Sequence, residues 1–289
     1  MNKFSYLFKR IFFYLGLISI LLTIASCSST RLGYGFLDTY ILWKIDGYVS
    51  LTQEQKTFTK AGINDFHAWH RKEQIPLYAA YMEQLKPKLN NTNLSGVIIH
   101  KETDELQQLL DESINYLMPT LVELAFSLSD DQIIELDKNL AKKRKKYTKQ
   151  YVTVKKNKLY KKRINDLCKY MDPFFGRYTS QQKEWLEVWA KQLIDYEEFM
   201  VNQQENWSAN LLSALKNRTT KPILHAQIKD IVLYRTDNWE PELNAILDKN
   251  QTTTYDLVAT LVKSQTTKQR DKMNKKLDKY VSDFQHLSK

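Results

Sequence analysis

Turn-forming residues are scarce in this chain. It has 7 glycines and 6 prolines among 289 residues, about 4.5% together against roughly 12% in an average protein. Folds that need those residues at most corners, such as β-sandwiches, propellers and Gly-rich nucleotide folds, are therefore disfavoured. Cysteine is nearly absent too, with Cys27 and Cys168 alone, so no disulfide framework is available. There is no Gly-rich phosphate loop, no Gly-x-Ser-x-Gly and no His-Glu-x-x-His, which removes the common sequence signatures of nucleotide, hydrolase and zinc chemistry. No segment alternates convincingly as a strand; Val97-Ile98-Ile99 is the best candidate and is too short to build a sheet. The chain is 43% hydrophobic, 12% aromatic and 26% charged, which excludes a wholly disordered or collagen-like protein. Its length allows one large or two modest domains with a proper core.

The N-terminus carries Lys3, Lys9 and Arg10, then sixteen uncharged residues from Ile11 to Ser26, then Cys27. As a helix that run spans about 24 Å, short of the ~30 Å hydrocarbon core of a bilayer. It reads as an export signal rather than a membrane span. Ile24-Ala25-Ser26-Cys27 follows the order apolar, small, small, Cys and resembles the bacterial lipobox. The resemblance implies cleavage before Cys27, a diacylglycerol on its sulfur and acylation of its new amine. Two or three acyl chains anchor a protein stably without a helix, at roughly 0.8 kcal/mol per buried CH₂. Ser28 stands where inner-membrane retention signals carry Asp, so the expected location is the outer membrane, facing the periplasm.

The full chain has a net charge of +10; without residues 1–26, which hold three cations and no acid, about +7 remains. The surplus is concentrated: from Lys138 to Arg163 there are 13 Lys or Arg and no Asp or Glu. In a cytosolic protein this would suggest nucleic acid; the export signal turns it toward phospholipid head groups, peptidoglycan carboxylates and acidic protein segments. Ile133, Leu136, Leu140, Tyr147, Tyr151 and Val154 keep helical spacing through the run, so one stripe packs inward while the lysines face out. The candidate anion-binding face comprises Lys142, Lys143, Arg144, Lys145, Lys146 and Lys149.

Three sites, Leu51-Thr52-Gln53-Glu54-Gln55, Leu128-Ser129-Asp130-Asp131-Gln132 and Tyr178-Thr179-Ser180-Gln181-Gln182, have the form of a capping box. The hydroxyl takes an orphan N–H three residues on and the Gln reaches back. Each marks a helix start; spacings of 77 and 50 residues exclude a regular solenoid. Helices are expected over residues 36–49, from Thr52 with a break at Pro76, from Thr103 with a bend at Pro119, and from Ser129 to Asp172-Pro173 with an interruption near residues 151–158. Another runs from Thr179 without interruption through Trp185, Trp189, Trp207 and Leu211. Shorter ones follow over 222–234, 241–249 and 255–262, and a last one spans Thr267 to Leu287. A loop is expected over residues 85–96. The predicted architecture is an all-α, elongated bundle of Pro-kinked amphipathic helices. It comprises a cleaved signal at 1–26, a lipidated tether at 27–35, a main helical domain at 36–218 and a C-terminal helical extension at 219–289, packed on it or flexibly attached.

Two resemblances accompany this reading. The Leu-Thr-x-x-Gln boxes at Leu51–Gln55 and Leu128–Gln132 resemble those of the periplasmic LTXXQ-motif, Spy-like helical chaperones, which implies a concave surface that cradles unfolded clients. A broader set of segments is similar to a family of uncharacterised proteobacterial lipoproteins, a domain of unknown function. It comprises Arg31-Leu32-Gly33-Tyr34, Asp38, Trp43, Asp46-Gly47-Tyr48-Val49, Phe66 to Arg71, Pro76 to Ala79 and Gly176 to Gln182. That resemblance implies a location and an architecture but no activity.

Candidate chemistry is sparse. His67 and His70 lie three apart on one helix with Asp65 and Glu73 nearby, but a metal site there needs ligands from other helices. Asp38 and Asp46 sit eight apart in an apolar helix and need cationic partners. Asp38, Asp46, His70 and Arg71 therefore form a candidate structural polar network, with Arg31 and Lys44 as further partners. The expectation is a non-enzymatic envelope lipoprotein with no catalytic residue, metal or cofactor. It is held to the membrane by lipid on Cys27 and binds an envelope protein, anionic lipid or peptidoglycan, not nucleic acid. The alternatives are a holdase for periplasmic clients and an enzyme acting on peptidoglycan or lipid.

Overall fold

The structure is a computed structural model that describes residues 29–233 and 239–289. Residues 1–26, read above as an export signal, and Cys27 lie outside the described residues. The described residues are helices joined by short turns, with no strand among them. In chain order they are α1 (Ser29–Gly35), α2 (Leu37–Asp46), α3 (Gln53–Trp69), α4 (Ile75–Leu89), α5 (Gly96–Ser127), α6 (Asp130–Tyr147), α7 (Lys156–Phe175), α8 (Ser180–Gln192), α9 (Glu197–Lys216), α10 (Lys221–Leu233), α11 (Pro241–Lys263) and α12 (Thr267–Leu287). Single π-helical turns, His70–Gln74 and Thr148–Val152, extend α3 and α6. The all-α expectation holds.

The three capping boxes form as expected at Thr52, Ser129 and Thr179, and a fourth forms at Thr266 with Gln269. The four dock in pairs. Gln55 Nε2 donates to Gln132 Oε1 at 3.0 Å and Gln132 Nε2 returns the bond at 2.7 Å. Gln182 and Gln269 do the same at 3.1 and 2.8 Å. Each Gln also donates to a backbone carbonyl beside its partner's box: Gln55 to Ser127, Gln132 to Ser50, Gln182 to Ser264 and Gln269 to Arg177. All four side chains are buried, so the two latches satisfy amide groups that would otherwise be costly to bury. The helices follow the same rule. The first boxed helix of each half packs on that half's long helix, α3 on α5 and α8 on α11; α4 packs on α12 while α9 packs on α6; and α5 and α11 pack on each other. The chain is thus two similarly ordered sets of helices, α3–α6 and α8–α12, each lending its second boxed helix to the other.

Several elements differ from the sequence-based expectation. Residues 29–35 are helix α1 rather than a tether, fixed by an Arg31–Asp283 ion pair at 2.7 Å and by buried Tyr34. Val97-Ile98-Ile99 lies in the first turn of α5, whose cap is Ser95; Thr103 sits inside that helix and donates its hydroxyl to the Ile99 carbonyl. Helix α4 continues to Leu89, so the loop is confined to 90–95, and Pro119 leaves α5 unbroken. Helix α7 ends at Phe175, two residues beyond Pro173. It stops at Gly176, whose φ of 74° suits a residue without a Cβ.

The expected helix from Thr179 to Leu211 is divided between α8 and α9 at Leu193–Tyr196. There Asn250 accepts from Ile194 N–H and donates to its carbonyl, and Arg163 donates to the carbonyls of Ala190 and Leu193. Conversely, the two helices expected over 241–249 and 255–262 are one, α11. Its polar middle is kept because Asn250 and Gln251 are buried and satisfied by Ile194 and Tyr255. The helix expected over 222–234 is α10, and Tyr234 lies outside the described residues.

Three apolar clusters hold the body. One joins α7, α8, α11 and α12 through Leu186, Trp189, Leu243, Leu261, Met273 and Leu277. A second joins α5, α6, α9 and α10 through Met118, Ile133, Leu136, Leu215, Leu224 and Ile228. The third joins α1 to α5 and α12 through Tyr34, Leu37, Phe66, Ile75, Leu110 and Leu287. The residues beyond 218 therefore supply parts of all three clusters and are packed, not flexibly attached. Trp189 is core and donates its indole N–H to Thr254, while Trp185 and Trp207 lie half-buried at the core's edge.

Candidate functional site

Helix α6 starts with Asp130 and Asp131 after the Ser129 cap and ends with Arg144, Lys145 and Lys146. Acids at the N-terminus and cations at the C-terminus both suit the helix dipole. Ile133 and Leu136 turn inward against the second cluster. Lys138, Lys142, Lys143, Lys145, Lys146 and Lys149 are exposed and Arg144 is half-buried. Two shallow, open concavities lie along this face, of about 510 and 570 Å³. The first is bordered by Arg144, Lys145, Thr148, Lys149 and Val201, the second by Glu135, Lys138, Asn139, Lys142 and Lys145. Neither encloses a cavity of the kind that buries a small-molecule substrate. Lys149 lies in the π-helical turn Thr148–Val152 that follows α6.

Among the described residues, none of Lys138, Lys142, Lys143, Arg144, Lys145, Lys146 and Lys149 makes an ion pair with a carboxylate. Lys143 instead lies over the Tyr48 ring, 4.0 Å from its centre. The acid bordering the second concavity, Glu135, accepts from Ser50 N–H and Oγ at 2.8 and 2.7 Å, and these bonds hold its carboxyl below the usual range. Like charges three and four residues apart on a helix repel by roughly 0.2–0.5 kcal/mol a pair. Lys138/Lys142, Lys142/Lys146 and Lys145/Lys149 are such pairs.

The rest of the thirteen-cation run is not part of this face. Arg163 is buried and forms a bidentate pair with buried Glu197, with Nη2 to Oε1 at 2.6 Å and to Oε2 at 2.8 Å. Its Nη2 also reaches Asp195 at 3.1 Å. Lys156 pairs with Asp195, and Lys162 with Asp166 at 2.6 Å. Seen along the sequence these cations look alike, but their partners come from α7 itself and from the α8–α9 junction.

The expected network of Asp38, Asp46, His70 and Arg71 is instead two arrangements, linked only by the charge of Asp38 acting on His67. Asp38 and Asp46 lie on the side of α2 facing α3, where Lys60 and Lys56 meet them at 3.7 and 3.5 Å. The eight-residue spacing of the acids is matched by antiparallel packing against two lysines four apart. His70 is buried beside Tyr34, whose hydroxyl lies 2.9 Å from Nδ1. His67 packs on the same ring with centroids 4.4 Å apart, and the Arg71 guanidinium stands 5.7 Å from its centre. Phe66 and Tyr78 enclose His70 further. Burial pulls His70 down to about 4, with His67 adding to the effect, and burial pulls His67 down as well. Burial likewise raises the Tyr34 hydroxyl above its ordinary range. Asp65 and Glu73 are exposed, away from this nest. His70 thus serves as a neutral packing and hydrogen-bonding group, whereas the His67 ring only packs, its buried Nε2 having no hydrogen-bond partner among the described residues.

Among the described residues, no group of three or more His, Cys, Asp and Glu is arranged to hold a metal ion, and no helix is long and apolar enough to cross a membrane. Cys168 is a half-buried thiol whose ionisation burial opposes. No curated protein and no solved structure matches the chain. A family model does match, over residues 47–244, from the turn after α2 into the first residues of α11. With more than half its length covered, the chain belongs to DUF6279, a family of unknown function.

Proposed function

We propose that this protein is a lipid-anchored, non-enzymatic scaffold of the cell envelope that binds an anionic partner on the basic face of α6. The observation that carries the reading is the set of seven cations from Lys138 to Lys149 without a carboxylate partner among the described residues, five of which (Lys138, Lys142, Arg144, Lys145 and Lys149) border the two shallow concavities. Unrelieved like-charge repulsion is a cost to α6, and a ligand bearing carboxylates or phosphates would offset it. The lipobox-like Ile24-Ala25-Ser26-Cys27 supports the periplasmic face of the outer membrane as the place of action. The buried Gln latches account for the Leu-Thr-x-x-Gln boxes as joints of the fold, so those boxes lend no support to a client-holding surface.

The test is binding of the full chain to peptidoglycan sacculi, to phosphatidylglycerol vesicles and to acidic envelope proteins trapped by crosslinking. The comparison variant is Lys142→Glu/Lys145→Glu/Lys149→Glu. These side chains are exposed, so the fold is expected to survive. Binding to one of the three should fall at least tenfold in the variant and should weaken steeply with added salt. Binding insensitive to both would overturn the basic-face reading. Loss of detergent-phase partition in Cys27→Ala tests the anchor separately.

A further inference from the structure

Helix α2 is apolar on two sides. Leu37, Ile41 and Ile45 turn toward the body and join its apolar clusters. On the opposite side Phe36, just before the helix, is 65% exposed and Trp43 is 63% exposed, large values for aromatic side chains in a folded protein. Tyr40 lies between them, its ring 5.8 Å from that of Trp43, and Lys44 Nζ stands 5.1 and 5.0 Å from the two ring centres. The stripe Phe36, Tyr40, Trp43, Lys44 follows the three- and four-residue steps of one helix face. The acids of α2 do not oppose it: Asp38 and Asp46 are paired with Lys60 and Lys56 of α3. Where α2 ends, Tyr48 touches the basic face of α6, its carbonyl accepting from Asn139 and its ring lying under Lys143. A solvent-facing row of Phe, Tyr, Trp and Lys, free of unpaired acid and continued by lysines, has the composition of a surface that rests at a membrane interface.

We propose that this face of α2 docks on the lipid bilayer that holds the N-terminal anchor, with Phe36, Tyr40 and Trp43 at the boundary of head groups and acyl chains and Lys44 at the phosphates. The proposal rests on the anchored reading above. Twenty-eight residues precede Ser29, with Cys27 two residues before α1. The seven helical residues of α1 and the greatest reach of two further residues put Cys27 within about 20 Å of Phe36 along the chain. Helix α1 is pinned to the body by the Arg31–Asp283 pair and by Tyr34, so it cannot pay out as slack. A lipid on Cys27 therefore holds α2 at the membrane surface, and its outward face is the apolar surface nearest the anchor along the chain. The anionic head groups of a bilayer complement Lys44 and Lys143.

The test is quenching of Trp43 by lipid. The full chain is reconstituted into phosphatidylethanolamine/phosphatidylglycerol vesicles whose acyl chains carry bromine, alongside Trp43→Phe. The chain has 6 tryptophans, and the difference between the two proteins isolates Trp43. Most of the bromine-dependent quenching should vanish in Trp43→Phe. In the Cys27→Ala background, Phe36→Ser/Trp43→Ser should lower flotation with the vesicles at least fivefold with unchanged helical circular dichroism. A lipidated chain that floats with Trp43 unquenched would overturn the docking of α2 and leave the anchor standing. Trp43 quenched equally with and without Cys27, and undiminished flotation of Cys27→Ala, would overturn the lipid anchor and leave the docking face standing. Concentration-dependent dimers that require Trp43 and leave it unquenched would assign the face to a second copy and overturn the proposal.

Discussion

His70 shows how a single buried group makes stability depend on pH. Its imidazole sits among Tyr34, Phe66 and Tyr78, and burial pulls it from 6.5 in the open chain to about 4 in the folded one. Between those values the unfolded chain binds a proton that the folded chain refuses, so acid favours unfolding. The contribution of the neutral ring is fully present above pH 6.5 and is lost as pH falls toward 4; the shift corresponds to about 3 kcal/mol. Urea midpoints followed from pH 7 to pH 4 should fall steadily in the wild type. His70→Phe keeps an aromatic ring in the nest but leaves the Tyr34 hydroxyl only the His67 carbonyl, 3.5 Å away, in place of its 2.9 Å bond to Nδ1. It should be less stable at pH 7 and should lose much less on acidification; profiles that run parallel would refute the assignment. The histidines were visible in the sequence. Their neutral role was not, because Tyr34 reaches them from 36 residues away and Lys56 and Lys60 answer the acids of α2 from a different helix.

At the scale of elements, the docked capping boxes couple helix starts that lie 77 and 87 residues apart. In the first pair, Gln55 and Gln132 each satisfy the other's amide, a cap N–H and a remote carbonyl. Removing one leaves the other buried and unpaired, at roughly 1–3 kcal/mol beyond the lost cap. Gln55→Ala and Gln132→Ala should each destabilise by about 2–3 kcal/mol. The double variant should cost clearly less than the sum, since the second truncation removes the group that the first had stranded. Additive losses by urea titration would show that the two amides act independently. Three of the four boxes were legible because N-capping is local chemistry that needs only a hydroxyl and a Gln three residues later. The fourth, Thr266 to Gln269, carries the same pair but follows Gln265 rather than an apolar residue, so it lacks the staple that marks the others. The division between α8 and α9 was not legible at all. The apolar period continues across it, and the residues that open the backbone, Asn250 and Arg163, lie far off in sequence.

For the whole molecule, the exchange of boxed helices between halves makes the body cooperative. The family match ends at Asn244, four residues into α11, yet the fold does not. Beyond that point the chain still supplies Leu247, Tyr255, Leu257, Leu261, Met273, Leu277 and Tyr280, all buried, and Gln269, the partner of Gln182. At roughly 1.5–3 kcal/mol for each large side chain withdrawn from water, these seven residues contribute about 10–20 kcal/mol, comparable to the whole 5–15 kcal/mol by which a domain is ordinarily stable. Helix α12 also covers α4 and α7, so its loss would uncover the first half as well as the second. A chain ending at Asn244 should therefore show no cooperative unfolding transition by circular dichroism and should bind hydrophobic dye. The full chain should unfold in one transition when followed by tryptophan emission and by far-ultraviolet signal. A truncated protein that melts sharply within a few degrees of the full one would mean that the matched segment is a self-sufficient domain and that the interlock between halves adds little.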